Sequence, residues 1–348
     1  MDLISKIQKF HYSKLHFSAL TVLFAPISFL YFIFISTKNF LYKINLLKSK
    51  KVDIKVICVG NLTTGGVGKT PVVIELANYL ANSGEKPAII TRGYKGKLSN
   101  NSANIIRDFS SILINDPILS GDEPNLIANS VNNTMVLVGR DRHKLALCAK
   151  ENGATVILMD DGFTNRKLHK DQTILLFDYE KLVGNGCLLP LGPLREPMSE
   201  IKRADKILII NKTGNKVEID EKLIKQFKFK DIFVCNVIPD VVKNQTNGNI
   251  LSKGEKALAF TGIGSPNQFF NFLNKDFEIL SQHSFQDHHS YTQEDIEKLN
   301  QNALKIGAKA LITTTKDYVK IKDFNSSLDI YTLELKIDLN AEGILKWD

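Results

Sequence analysis

The stretch Val56–Pro71 reads V-I-C-V-G-N-L-T-T-G-G-V-G-K-T-P, a short apolar run that enters a glycine-rich turn and closes on Gly68-Lys69-Thr70. Each residue type has a use in holding phosphate. Glycines let successive backbone N–H groups face one anion, a lysine reaches the bridging oxygens, and a hydroxyl can meet a divalent cation. The candidate cradle is therefore Thr63, Thr64, Gly65, Gly66, Val67, Gly68, Lys69 and Thr70, with Thr63 in place of the leading glycine of the usual pattern. Val72, Val73, Leu76, Ala77 and Leu80 follow at helical spacing, so bound phosphates would meet a helix N-terminus. Strand, phosphate loop and helix in that order predict an α/β fold: a P-loop NTPase-type, mostly parallel sheet flanked by helices.

The rest of the chain keeps that rhythm. Apolar runs at Ala88–Thr91, Met135–Val138, Thr155–Met159, Ile174–Phe177, Ile207–Ile210 and Ile232–Val237 alternate with helical patterns, as in a parallel sheet covered on both faces. Between Val237 and Lys256 the pattern weakens into an Asn-, Gly- and Lys-rich stretch, which predicts a linker or an exposed hairpin. A second block opens with Ala257–Thr261, carries a helix from Thr292 to Ile306 behind a Thr292-x-x-Asp295 cap, and ends in strands at Ala310–Thr315 and Asp329–Lys336. The expected organisation is an N-terminal anchor and juxtamembrane segment over 1–50, a phosphate-loop domain over 51–240, and a linker with a smaller C-terminal α/β lobe over 241–348.

The anchor rests on Phe17–Ser36, which holds no charged side chain and is about long enough for a hydrocarbon core of roughly 30 Å. Pro26 interrupts it, which leaves open a kinked helix confined to one leaflet. Lys6, Lys9 and Lys14 precede the stretch; Lys38, Lys43, Lys48, Lys50, Lys51 and Lys55 follow it, which puts the body on the cytoplasmic side. A net charge of +8 over 348 residues suits an anionic partner, and the apolar N-terminus makes that partner a membrane surface and not nucleic acid. Four scattered cysteines without C-x-x-C spacing fit a reducing compartment and predict neither a disulfide nor a zinc site.

Several residues could carry chemistry. The run ending at Met159 is followed by Asp160-Asp161-Gly162-Phe163, where a phosphate-loop protein places its metal-facing acid; with Thr70, these two carboxylates are the candidate Mg²⁺ ligands. Asp122, in Gly121-Asp122-Glu123-Pro124, is a candidate base for an acceptor hydroxyl, although on the residues alone an exposed helix cap is the leading reading. His283, His288 and His289 cluster without a matching carboxylate set for a transition metal; His288 is a candidate partner for Asp122, a surface histidine the other reading. Arg92 follows the run Ala88–Thr91, and Arg195, next to Glu196, follows a proline- and glycine-rich stretch; both arginines fall on loops, where a guanidinium suits phosphate oxygens, a solvated basic loop being the other reading. Asn211-Lys212 begins like a guanine-reading N-K-x-D, but Gly214 replaces the aspartate and leaves the base unread.

Taken in order, G-N-L-T-T-G-G-V-G-K-T-P, T-R-G-Y, G-D-E-P, D-D-G-F, L-P-L-G-P-L-R-E-P, F-T-G-I-G-S-P, F-x-D-H-H-x-Y-T and T-x-K-D-Y-V-K resemble the tetraacyldisaccharide 4′-kinase (lipid A 4′-kinase) family, from the anchor to about Lys320. The resemblance implies transfer of the ATP γ-phosphoryl group to the 4′-hydroxyl of a lipid A disaccharide 1-phosphate precursor at the bacterial inner membrane, with no obligate protein partner. It implies ATP-phosphate and Mg²⁺ roles for Lys69 and Thr70, metal and phosphate contacts for Asp160 and Asp161, a base in Asp122 with His288 as its partner, and active-site contacts in Arg195 and Glu196. The chain departs from the family where Thr164-Asn165-Arg166 replaces Gln-His-Arg, with His169 nearby. A rival reading is a membrane-associated P-loop switch ATPase, which shares the G-G-V-G-K-T core; such proteins carry a signature lysine just before the double glycine, and here that residue is Thr64. A non-catalytic adaptor is a further alternative, against which Lys69, Thr70 and both aspartates argue.

Overall fold

The computed structural model describes residues 7, 10–13, 19–100, 103–213, 217, 227, 231–264, 266–287 and 289–346. Among them, twelve strands form a single sheet in the order β10-β9-β11-β12-β8-β7-β6-β1-β5-β2-β4-β3. The strands are β1 Lys55–Asn61, β2 Pro87–Thr91, β3 Asn104–Arg107, β4 Met135–Val138, β5 Val156–Asp160, β6 Gln172–Asp178, β7 Lys206–Asn211, β8 Ile232–Asn244, β9 Lys256–Thr261, β10 Glu278–Ser284, β11 Ala310–Thr314 and β12 Ile330–Asp338. Pairing is parallel from β8 to β4 and again from β12 to β10, and the two parallel blocks meet at the antiparallel pair β8–β12. The other antiparallel pair puts β3 on the outer edge beside β4.

Burial explains why the apolar runs were readable. Every residue of β2, β4, β5, β6 and β7 is buried, so these strands show no alternation of polar and apolar side chains. The helix Lys69–Asn82 lays Val72, Val73, Leu76 and Ala77 on the sheet. Helix Gln293–Ile306 has the expected cap: Thr292 and Asp295 form a reciprocal capping box, and Gly307 ends the helix in the left-handed conformation. The second block has its own apolar cores on either sheet face, around Phe269, Phe270 and Leu273 and around Phe260, Leu299 and Leu311. The last helix, Ala341–Leu345, returns to the core of the first block, where Gln172 donates to the Ile344 carbonyl at 3.0 Å.

Two differences from the sequence expectation have clear causes. The region read as linker or hairpin after Val237 is strand as far as Asn244, because β12 supplies an antiparallel partner, Tyr331 opposite Asn244 and Asp338 opposite Asn236. Beyond it the chain does turn back as an exposed hairpin, with Lys243 bridged to Ile250 and Asn244 N–H donating to Asn249 O at 2.8 Å. Within the strand, Pro239, opposite Leu335, falls next to the register shift between Leu333 and Leu335, where a missing N–H is tolerated. Strands β3 and β10 went unread because they lie at the two sheet edges, and β10 is largely polar and partly exposed.

The apolar N-terminal segment is a helix, Ala19–Lys43, that passes through Pro26 without a break. Its stretch Leu20–Lys43 is long and apolar enough to cross a membrane, with an 18-residue window inside it reaching a mean hydropathy of 2.0. Only one side of it touches the body. Ser28, Ile35 and Asn39, spaced at helical intervals, are buried, whereas Leu23, Phe29, Leu30 and Phe40 are exposed. Phe17 and Ser18, the start of the predicted apolar stretch, lie outside the described residues.

Candidate active site

Sheet order brings the motifs together. β1 lies beside β5, with Val59 opposite Asp160, and β5 lies beside β2, with Met159 opposite Ile90. The C-terminal ends of these neighbours therefore deliver the loop 62–68, the Asp160-Asp161 pair and the loop 92–96 to one edge, where ligands of parallel sheets collect. β4, next to β2, adds Gly139-Arg140-Asp141-Arg142.

The glycine-rich loop is shaped from outside as well as within. Gly65 and Gly68 have φ of 106° and 102°, a region open to glycine, and Gly68 is the N-cap of helix Lys69–Asn82. Thr64 N–H donates to Pro193 O at 2.8 Å, Asn61 Nδ2 to Thr63 O at 2.6 Å, and the Tyr12 hydroxyl to Thr64 O at 3.0 Å. Lys212 donates to Gly66 O and lies 3.3 Å from the buried Asp178. The Asn211-Lys212 pair thus braces the phosphate loop, with Asn211 held by Asn236 at 2.7 Å. Burial lowers the Lys212 pKa, against the opposing pull of Asp178.

The two aspartates are placed differently. Asp160 is 2 % exposed, accepts from Thr91 Oγ1 at 3.0 Å through Oδ2, and has no hydrogen-bond partner on Oδ1. Burial pushes its carboxyl up to about 6, with Lys69 pulling the other way. Asp161, at φ 49°, accepts two hydrogen bonds from the Arg195 guanidinium, at 2.8 and 3.1 Å, and lies 3.7 Å from Lys69 Nζ. Burial works to raise its pKa too, but Lys69 and Arg195 outweigh it and hold the carboxyl below its usual range. Lys69 also donates to Asn61 Oδ1 at 3.3 Å.

Both aspartates and Arg195 stand in the wall of a cavity of about 860 Å³, whose lining also includes Arg92, Asp122, Arg142 and Arg166 but none of residues 63–70. The carboxylates thus lie between the phosphate loop and the cavity. Asp122 opens helix Asp122–Ser130, where the helix dipole favours an acid, and its Oδ2 is 3.4 Å from Lys320 Nζ. Its backbone is set by close approach: a Cβ on Gly93 would come within 2.3 Å of Val138 Cγ1 and 2.8 Å of Ser120 O, and one on Gly121 within 2.9 Å of Tyr94 O. Thr91-Arg92-Gly93-Tyr94 and Gly121-Asp122 are locked backbone to backbone.

Glu196 and His169 stand away from the cavity lining. Glu196 is fully buried, accepts from Asn39 Nδ2 at 2.8 Å, pairs with Arg203 at 3.3 Å, and is not among the cavity lining. His288 lies outside the described residues; its neighbour His289 is 3.2 Å from Asp295 and stacks on Phe285, and His283 meets Asn302 at 2.8 Å. His169 pairs with Asp171 at 3.6 Å, also away from the cavity lining.

Sequence reasoning missed Arg142, Asn39 and Lys320. Arg142 is 5 % exposed, donates to Gly139 O at 2.8 Å and approaches Asp160 O at 3.4 Å; burial lowers its pKa to about 10, with Asp160 and Asp161 opposing, so it stays cationic at neutral pH. Its signal was available in the G-R-D-R that ends the run Met135–Val138. Asn39, on the N-terminal helix, donates to Glu196 and accepts from Arg166 at 3.1 Å, which ties that helix to the site; nothing in a mostly apolar segment marks it beforehand.

The family model for tetraacyldisaccharide-1-P 4′-kinase matches residues 20–347. The chain belongs to this family. It is 37 % identical over 320 residues to the tetraacyldisaccharide 4′-kinase of Syntrophus aciditrophicus, covering 87 % of this chain and 85 % of that one. It is 34 % identical over 324 residues to that of Desulfotalea psychrophila, covering 91 % and 92 %. The structure resembles the crystal structure of an "apo" form of LpxK from Aquifex aeolicus in complex with ATP, with a TM-score of 0.74 and 31 % identity over 93 % of this chain and 96 % of that one.

Proposed function

We propose that the protein is an ATP-dependent lipid kinase that transfers the γ-phosphoryl group to the 4′-hydroxyl of a tetraacyldisaccharide 1-phosphate in lipid A biosynthesis. The observation that carries this reading is the position of Asp160 and Asp161, between a phosphate loop and a separate cavity rimmed by arginines and the apolar helix. One side takes ATP, the other a lipid headgroup.

In this reading the amides of residues 63–68 and Lys69 hold the ATP phosphates, and Arg142 and Arg195 offset the negative charge at the junction. An all-oxygen donor set suits Mg²⁺, and the buried Asp160 Oδ1 without a hydrogen-bond partner fits such a ligand. Thr70, Asp160 and Asp161 would hold the ion, which when bound neutralises charge on the phosphate oxygens. Asp122, with His288 as its partner, accepts the proton of the 4′-hydroxyl as its oxygen bonds to the γ-phosphorus and the bond to the β-phosphate oxygen breaks. Arg92 faces the acceptor, and Glu196 acts by holding the segment that carries Arg195. Residues 51–240, with helix Ala341–Leu345 returning to their core, form the phosphate-handling domain, and the rest of 241–348 the smaller lobe.

The site lies on the cytoplasmic face of the bacterial inner membrane, where ATP is available, and the exposed apolar side of helix Ala19–Lys43 faces lipid. The substrate's acyl chains remain in the bilayer while its sugar enters the cavity. The test is transfer of labelled γ-phosphate from Mg·ATP to tetraacyldisaccharide 1-phosphate in detergent micelles, with the 4′-deoxy disaccharide as control. Label in the first lipid alone supports the reading. ATP hydrolysis with no labelled lipid would instead favour the switch ATPase.

A further inference from the structure

The T-x-K-D-Y-V-K segment is unused by the mechanism above, yet it forms helix Thr315–Ile321, packed against helix Asp122–Ser130. Its seating is unusually firm. Asp317 is fully buried and accepts from Thr261 Oγ1 at 2.8 Å, Gly262 N at 3.0 Å and Thr314 Oγ1 at 2.8 Å, so one carboxylate fixes the start of this helix to the turn after β9. Thr314 caps the same helix by accepting from Asp317 N at 3.1 Å. One turn further on, Lys320 has a side chain only 10 % exposed, with Nζ 3.4 Å from Asp122 Oδ2 and donating to His289 O at 3.1 Å.

That single ammonium therefore contacts the proposed base from one block of the sheet and, from the other block, the backbone of the residue that follows His288. A lysine so enclosed loses hydration, and these two acceptors stand in for the lost water. A base must sit within hydrogen-bond reach of the proton it takes, and small displacements are costly in rate.

We propose that Lys320 is a positioning residue for the acceptor-side base: it holds the Asp122 carboxylate and the His289 backbone in one fixed arrangement across the two blocks. Its effect is on the phosphoryl-transfer step and not on ATP binding. The inference rests on the reading of Asp122 as the base, and the experiment separates the two.

The experiment compares turnover, the KM values for ATP and lipid, and thermal unfolding of full-length wild type, Lys320→Met, Lys320→Arg, Asp122→Asn and the Asp122→Asn/Lys320→Met double variant. Lys320→Met is expected to lower kcat about 10- to 100-fold, the scale of one lost charge-assisted contact, with the ATP KM within about threefold. Lys320→Arg should recover most of that loss. In the Asp122→Asn background the lysine substitution should cost little further, because the basic carboxylate that it positions is already gone. Lys320→Gln, which removes the charge but keeps a donor for His289 O, carries the same test if the Met variant fails to fold. Normal turnover in Lys320→Met or Lys320→Gln beside a crippled Asp122→Asn overturns this inference alone, as does an undiminished lysine effect in the Asp122→Asn background. Normal turnover in Asp122→Asn overturns the base and this inference with it.

Discussion

The phosphate loop and the acceptor cavity are built in opposite ways. The loop is one continuous stretch, 63–70, between a buried strand and its helix, and neighbours such as Pro193, Tyr12 and Lys212 brace it through backbone carbonyls and amides. The cavity is assembled from Thr91–Lys95, Asp122–Pro124, Arg140 and Arg142, Asp160 and Asp161 with Thr164–Lys167, and Arg195, together with Phe34, Lys38 and Tyr42 of the N-terminal helix. A site made of one stretch announces itself by spacing; a site made of six is defined only by how strands are ordered. On the proposed function, the common chemistry of ATP suits the first design, and a particular lipid headgroup the second.

The contrast can be broken or sharpened by substitution. The largest effect is expected from Lys69→Ala, which removes a phosphate contact from the loop: turnover should fall about 100- to 1,000-fold with weaker ATP binding, as measured by steady-state kinetics and calorimetry. Normal kinetics would remove the phosphate-loop assignment. On the cavity side, Gly93→Ala forces a Cβ to within 2.3 Å of Val138 Cγ1 at a φ of 69°, and should destabilise the fold by roughly 3 kcal/mol. A denaturation midpoint equal to wild type would show that the T-R-G-Y loop is not locked against Gly121-Asp122.

Asp160 belongs to both regions, and its pH dependence has a definite sign. Its folded pKa of about 6 is raised by burial above the ordinary carboxylate value, so between pH of about 4 and 6 the folded chain binds more protons than the unfolded one and stability falls as pH rises. Asp160→Asn should flatten that fall and raise stability at pH 7 by about 1–3 kcal/mol while lowering turnover; urea unfolding at pH 5 and 7 reads it. A variant less stable than wild type at pH 7 would mean that the buried carboxylate is satisfied in the folded protein. The smallest effect is expected from Asn39→Leu, which removes one hydrogen bond to Glu196 and one from Arg166 and should cost about 1–2 kcal/mol. An unchanged melting temperature would show that Asn39 adds nothing to the coupling that Tyr31, donating to Arg195 O at 2.9 Å, also makes between the N-terminal helix and the Arg195-Glu196 segment.

The same contrast explains what the sequence made legible. Strands β1, β2 and β4 to β7 could be read because full or nearly full burial makes their centres apolar runs, and the phosphate loop and the Thr292 cap because their chemistry is local. Edge strands β3 and β10 carry too little apolar signal, and the second half of β8 looks like a linker until β12 is laid beside it. In the site, Asp160, Asp161 and Arg195 were found at strand ends or in a marked motif. Arg142 and Lys320 were not, since a buried cation gains its meaning from partners far away in the chain: Asp160 for one, Asp122 for the other.

The central claim is that ATP binding and acceptor activation reside in separable structures meeting at Asp160 and Asp161. Its most direct test is Asp122→Ala, with the ATP dissociation constant and lipid phosphorylation measured on the same preparation. The account predicts ATP affinity within about threefold of wild type and turnover reduced by about 100-fold or more. Turnover equal to wild type, or ATP affinity lost in step with turnover, would contradict it.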